Sequence, residues 1–185
     1  MSLLRSLPGA AVCVVALARP AIATELTLDA GTWQLGGQAT LKASHYTQGT
    51  AETATHLSLT PGAGYFLVDG LELRLGLGFD LLLANGHANT GAAVWCDVGV
   101  RWFYRGFGIV VPYVGAAVGP SWVFTNTDDT ATTFAVSVPA GVVLALNAHV
   151  ALDLGARMEL DLGVRNAQGT TVQGTLGYFG VQAFF

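Results

Sequence analysis

From Thr32 onward the chain alternates apolar and polar residues. Trp33, Leu35, Ala39, Leu41 and Ala43 are interleaved with Gln34, Gln38, Thr40, Lys42 and Ser44. The period of two returns as Leu71, Leu73, Leu75, Leu77, Phe79, Leu81 and Leu83 against Glu72, Arg74, Gly76, Gly78 and Asp80. A third run sets Val150, Leu152, Leu154, Ala156, Met158, Leu160 and Leu162 against His149, Asp153, Arg157, Glu159 and Asp161. Successive side chains leave a strand on opposite faces, so each run is a strand with one apolar and one polar face. Turn residues divide the chain into eight strands, predicted at 32–44, 55–68, 71–84, 92–104, 109–124, 131–146, 149–163 and 172–185. Asp69-Gly70, Arg105-Gly106 and Asn147-Ala148 read as tight hairpin turns, while 45–54, 85–91, 125–130 and 164–171 are longer loops rich in Thr, Asn, Gly and Gln. Short turns at one end and longer polar loops at the other predict an all-β fold, an eight-stranded antiparallel up-and-down transmembrane β-barrel.

Alternation does not say which face is inside; glycine does. Twelve strand glycines, among them Gly36, Gly76, Gly78, Gly174 and Gly180, fall on the polar face, against Gly37 and Gly177 on the apolar one. An eight-stranded barrel has an interior just wide enough for side chains to fill, with no room for files of Leu and Phe from every strand. The bulky apolar face is therefore expected to point outward. Leu71 to Leu83 spans roughly 41 Å along the strand and about 30 Å in height at a tilt near 40–45°, which matches a hydrocarbon layer. Outward aromatics gather at both ends of this band. Trp33, Tyr65, Trp102, Tyr104 and Phe185 form one girdle at the short turns, and Trp122, Phe124 and Phe134 another at the loops. The inward face carries Lys42, Arg74, Arg101 and Arg157 with Glu72, Asp80, Asp97, Asp153, Glu159 and Asp161. Enclosed charges need partners, so these are expected to pair into a plug. Pro61, Pro112, Pro120 and Pro139 lie inside proposed strands, where a missing donor calls for bulges or strand ends.

Composition agrees with burial in lipid. Charged residues are only 11% of the 185, hydrophobic residues 52%, and 24 are glycine, which excludes disorder. A net charge of −4 without a basic cluster excludes nucleic acid as a partner. Residues 1–23 read as a secretory signal: Arg5 in a short basic region, an apolar run from Ala10 to Ala18, and the small-residue pattern Ala21-x-Ala23. Its removal leaves the barrel domain, 24–185, and takes away Arg5 and Arg19 but no acid, moving the net charge to −6. Cys96 alone remains, so no internal disulfide forms.

Three segments carry a family resemblance. They are Pro61-Gly-Ala-Gly-Tyr65-Phe66 with Asp69-Gly70-Leu71, then Pro112-Tyr113-Val114-Gly115-Ala116, and the last strand Leu176 to Phe185. The region 25–185 resembles the small eight-stranded outer-membrane barrels of the OmpA, OmpX and opacity-protein type. The resemblance implies that Phe179, Val181 and Phe185 act as a C-terminal signal to the barrel-assembly machinery. It also implies periplasmic chaperones during biogenesis, outer-membrane lipids as surroundings, periplasmic termini and extracellular loops in a Gram-negative cell. The chain ending at Phe185 implies no cell-wall-binding domain.

The chemistry legible in the sequence is sparse. His56-x-Ser58 has the spacing of the His-x-Ser pair of outer-membrane lipid A deacylases, but both residues fall on the inward parity. His45, His56 and His87 with Glu52 lie near the same end without a metal-ligand spacing, and Asp128-Asp129 is a loop acid pair. No phosphate loop, zinc motif or dinucleotide fingerprint occurs, and no cofactor is expected. The expectation is a non-enzymatic barrel with a structural or surface-interaction role and an unknown surface partner. A narrow passive pore is the alternative, with a lipid-modifying enzyme and a soluble carrier behind it.

Overall fold

The computed structural model describes residues 25–46, 52–84, 91–124, 130–165 and 170–185. The signal segment 1–23 and most of the four long loops, with His87 and Asp128-Asp129, lie outside them. The strands are β1 (Trp33–Tyr46), β2 (Glu52–Val68), β3 (Leu71–Ala84), β4 (Gly91–Phe103), β5 (Val110–Phe124), β6 (Thr130–Ala145), β7 (Val150–Arg165) and β8 (Thr170–Phe184). Each pairs antiparallel with its neighbours in sequence, and β1 meets β8, so the sheet closes into a barrel in the order β1 to β8. No helix among the described residues is long and apolar enough to cross a membrane.

The bulky apolar residues face outward. Leu75 is 62% exposed, and Leu73, Leu77, Phe79 and Leu81 stand with it, while Gly76 and Gly78 between them are buried. This belt continues around the barrel through Leu59, Val98, Val118, Val138, Leu154, Met158 and Phe179. Exposed apolar surface of that extent is foreign to a water-soluble monomer and suited to hydrocarbon. Inside, glycine makes room for what the other strands supply. A methyl group at Gly78 would run into the Trp95 ring, and one at Gly119 into the Cys96 backbone carbonyl.

Several local expectations are corrected. Pro112 sits near the start of β5, just beyond the last β4–β5 rung Phe103↔Tyr113, as expected, but the other three prolines need neither bulges nor strand ends. Around Pro61 the β2–β3 pairing lapses between Leu59↔Phe79 and Gly62↔Gly76 and resumes in the same register. Pro120 and Pro139 leave similar lapses in β4–β5 and β5–β6. A missing N–H removes a rung, and the rungs on either side hold the register. The β4–β5 connection is also longer than the Arg105-Gly106 turn expected: it runs from Tyr104 to Ile109, with Gly106 and Gly108 at positive φ.

Gly177 is a bulge residue at φ +85, not a position on the apolar face. The extra residue flips the parity of β8 beyond it. Gly174 therefore lies outside with Val172 and Leu176, whereas the alternation had placed it inside.

The short-turn end is closed by the segment before β1. Leu26 and Leu28 are buried against Phe66, Phe103, Val111, Tyr113, Val143, Ala151 and Phe184. Backbone hydrogen bonds fasten the segment to the rim: Thr27 N to Ala148 O at 3.0 Å, Gly70 N to Leu28 O at 2.9 Å and Gly31 N to Phe66 O at 2.9 Å. Arg105 adds ion pairs to Asp29 at 2.9 Å and Asp69 at 3.2 Å on the surface.

Candidate functional site: the filled lumen

Directly above this apolar stopper lies a layer of buried polar side chains, placed there by strand parity. Glu72 on β3 and Arg101 on β4 are paired residues of one ladder, so both side chains leave the sheet on the inner face. Arg101 Nε donates to Glu72 Oε2 at 2.6 Å. Its Nη1 reaches Asp153 Oδ2 on β7 at 3.4 Å, and its Nη2 donates to Gln182 Oε1 on β8 at 3.0 Å. The guanidinium lies 5.2 Å from the Phe103 ring centre and 5.3 Å from that of Tyr113, so aromatic faces cover it where carboxylates do not.

Asp153 is equally well served. Its Oδ2 accepts from Gln38 Nε2 at 2.8 Å and from the Gln182 amide, and its Oδ1 accepts from the Tyr113 hydroxyl at 2.7 Å. The Tyr113 hydroxyl also meets that of Tyr178. Gln34, fully buried, fills the remaining space beside Arg101 and Gln182. A buried charge is tolerated when its hydrogen-bonding capacity is taken up, and here one guanidinium and two carboxylates share one network spanning β1, β3, β4, β5, β7 and β8. The result is a continuous layer of hydrogen-bonded side chains across the lumen.

The other inward charges lie elsewhere in the lumen. Arg74 is buried. Arg157 faces Asp97 at 3.9 Å, an ion-pair distance too long for a hydrogen bond. Asp161 accepts from Gln173 Nε2 at 2.9 Å. Asp80 and Glu159 also make interactions on this inner face. Lys42 stands in register with His56, and its side chain lies outside the described residues, as do those of His45, Glu52 and His56. Ser58 stands opposite Thr40 and Asp80 on the neighbouring strands. No group of three His, Cys, Asp or Glu side chains is assembled as metal ligands among the described residues.

The aromatics expected as girdles sit at the barrel's two ends. Trp33, Trp102, Tyr104 and Phe185 are exposed at the short-turn end, with Tyr65 tilted against Trp33 at 4.9 Å between ring centres. Phe124 and Phe134 are exposed at the loop end, with Trp122 half-buried. Phe179, Val181 and Phe185 of the last segment all face outward.

Sequence reading had not singled out Gln34, Gln182, Tyr178 or the inner ring of Phe66, Phe103 and Phe184. The signal was present, since each shares the parity of an inward glycine or charge on its strand. Glutamines and aromatic residues on that parity fill the lumen beside the charges, and Trp95 over Gly78 is one of them.

Structural comparison draws on the whole barrel. Neisserial surface protein A matches with a TM-score of 0.64 at 21% identity, over 84% of this chain and 98% of that one. The outer membrane protein OprG from Pseudomonas aeruginosa matches with a TM-score of 0.55 at 14% identity, over 89% and 99%. The chain has the fold of the small eight-stranded outer-membrane barrels. No family model matches this outer-membrane-type barrel, and no curated protein is significantly similar to it in sequence. The likeness is one of fold, and function rests on the residues of this chain.

Proposed function

We propose that the protein is a non-enzymatic, non-conducting barrel of the Gram-negative outer membrane that stiffens the envelope and displays its four long loops as a contact surface. The observation that carries this reading is the double closure of the short-turn end: Leu26 and Leu28 packed on Phe66, Phe103 and Phe184, beneath the Arg101, Glu72 and Asp153 network. A passive pore needs a hydrated path past both layers. Termini at the periplasmic side and loops outside follow from the usual placement of short turns in such barrels. Outer-membrane lipids are its surroundings. Periplasmic chaperones and the barrel-assembly machinery are its partners in biogenesis, the latter reading Phe179, Val181 and Phe185.

Reconstitution into planar bilayers tests the closure. The intact barrel is expected to give no discrete conductance steps, and steady steps from it would replace this reading with the passive pore. Loss of detergent resistance on deleting the gene is the expected envelope phenotype; unchanged resistance together with unchanged surface adhesion would remove the proposed role.

A further inference from the structure

The seam that closes the barrel is joined over only part of its length. β1 and β8 pair from Gln34↔Phe184 to Ala39↔Phe179. Past Ala39, β1 runs on to Tyr46 against β2, and β8 begins at Thr170 against β7, yet among the described residues no rung joins those two segments.

The register explains the fork. Carried on from Ala39↔Phe179 one residue at a time, it would set Lys42 opposite Leu176 and Ala43 opposite Thr175. Directly opposed residues of an antiparallel pair stand on the same face, and a slip of one residue puts each of them on the wrong one. Leu176 is 93% exposed on the outer face, whereas position 42 of β1 shares the inner face with buried Gln38. Thr175 pairs with the inward Arg157, whereas position 43 shares the outer face with Leu35.

The mismatch is one residue, and Gly177 is that residue. β7 pairs Gly155 with Tyr178 and Ala156 with Leu176, so β8 carries Gly177, at φ +85, as an extra residue between them. On the Phe184 side of it β8 matches both neighbours; on the Thr170 side it matches β7 alone. A strand without it would set Leu41 opposite Leu176, Lys42 opposite Thr175 and Ala43 opposite Gly174, outer face against outer and inner against inner.

The backbone donors agree. Trp33 and Phe185 exchange both backbone hydrogen bonds, at 2.7 and 2.9 Å, so every second residue from them aims its N–H across the seam. On β1 these include Leu41 and Ala43; on β8, counted past the bulge, they include Gly174 and Leu176. Those are the same residues that the uninterrupted strand would make partners. From Trp33 to Ala39 is six steps, roughly 20 Å along the strand and about 15 Å in height, so the fork lies near the middle of a hydrocarbon layer. Open strand edges at that depth are tolerated beside a wet cavity, and the inner face of the neighbouring ladder there carries Asp161 and Gln173.

We propose that Gly177 acts as a one-residue insertion that keeps the β1–β8 seam from closing beyond Ala39 and makes it the place where the barrel wall parts. The strand ends at Tyr46 and Thr170, which lead into the first and last long loops, are each held by one neighbouring strand instead of two.

The test places nitroxide pairs on the outer face of the full barrel, with Cys96→Ala as background, in phospholipid vesicles, and reads their dipolar broadening. A Leu35→Cys/Ala183→Cys pair spans the joined half, and an Ala43→Cys/Gly174→Cys pair spans the open half. With Gly177 present, the first pair is expected to broaden strongly and the second weakly. Deletion of Gly177 is expected to bring the second pair to the level of the first. Deletion of Leu176 removes one residue while keeping the glycine, and is expected to close the seam in the same way. Gly177→Ala keeps the extra residue and is expected to leave the seam open. Strong broadening of the second pair before any deletion overturns the proposal, as does weak broadening that persists in a deletion variant with the heat-modifiable migration of a folded barrel. Closure in Gly177→Ala, or loss of folding in both deletion variants, overturns it equally.

Discussion

Arg101 and Glu72 are direct partners in the β3–β4 ladder and form an ion pair at 2.6 Å, 1% and 0% exposed. The register of the sheet, rather than the reach of two long side chains, brings the charges together. Removing one partner leaves the other buried and uncompensated, which costs about 3–5 kcal/mol, whereas removing both leaves mainly a packing change. Arg101→Met is therefore expected to lower the urea midpoint of the reconstituted barrel strongly. Arg101→Met with Glu72→Gln is expected to recover much of the loss, because Asp153 keeps Gln38, Gln182 and Tyr113 as donors. A double variant as unstable as the single one contradicts the pairing.

Gly78 and Trp95 are a size match across the same ladder. Gly78→Ala drives a methyl group into the indole and is expected to cost about 1–3 kcal/mol. Trp95→Leu relieves the clash, so the double variant should be more stable than the sum of the singles, measured as a coupling energy in a double-mutant cycle. Gly119→Ala meets backbone instead of a side chain and is expected to find no such rescue.

The stopper and the ionic layer are separate barriers in series. Leu26→Ser with Leu28→Ser removes about 1.5–3 kcal/mol of burial per side chain and is expected to expose the N-terminal segment to protease while the barrel stays heat-modifiable. Bilayer recordings should remain silent in that variant. Steps are expected only when Arg101→Ala is added, and steps from the leucine variant alone would show that the ionic layer does not block.

The strands, their order and the outward Leu75, Leu77 and Phe79 could be read from the chain because a period of two is imposed at every residue by the geometry of a strand. Strand limits fell within a few residues; β2 begins at Glu52 rather than 55. What escaped was whatever breaks the period or depends on a second element. The Gly177 bulge inverts one half of β8, and its off-parity position in the sequence is shared by Gly37, which pairs regularly with Pro61 and Val181, so parity alone does not mark a bulge. The lapses at Pro61, Pro120 and Pro139 depend on the partner strand holding register. The stopper was invisible because Leu26 and Leu28 precede the first strand, and their burial depends on Phe66, Phe103 and Phe184 meeting at one rim. For the lumen, charge parity marked which residues point inward, but that Asp153 on β7 also reaches Arg101 on β4 depends on the barrel's closure.

The central claim is the orientation of the wall, and nitroxide scanning along β3 tests it most directly. With Cys96→Ala as background, single labels at 72 to 75, 77, 79 and 80 are exposed to molecular oxygen, which partitions into lipid, and to a water-soluble nickel complex. Labels at 73, 75, 77 and 79 are expected to collide with oxygen strongly, and labels at 72, 74 and 80 weakly. The inverse pattern, with the leucines shielded and the even positions reached by oxygen, would contradict a lipid-facing belt and the account built on it.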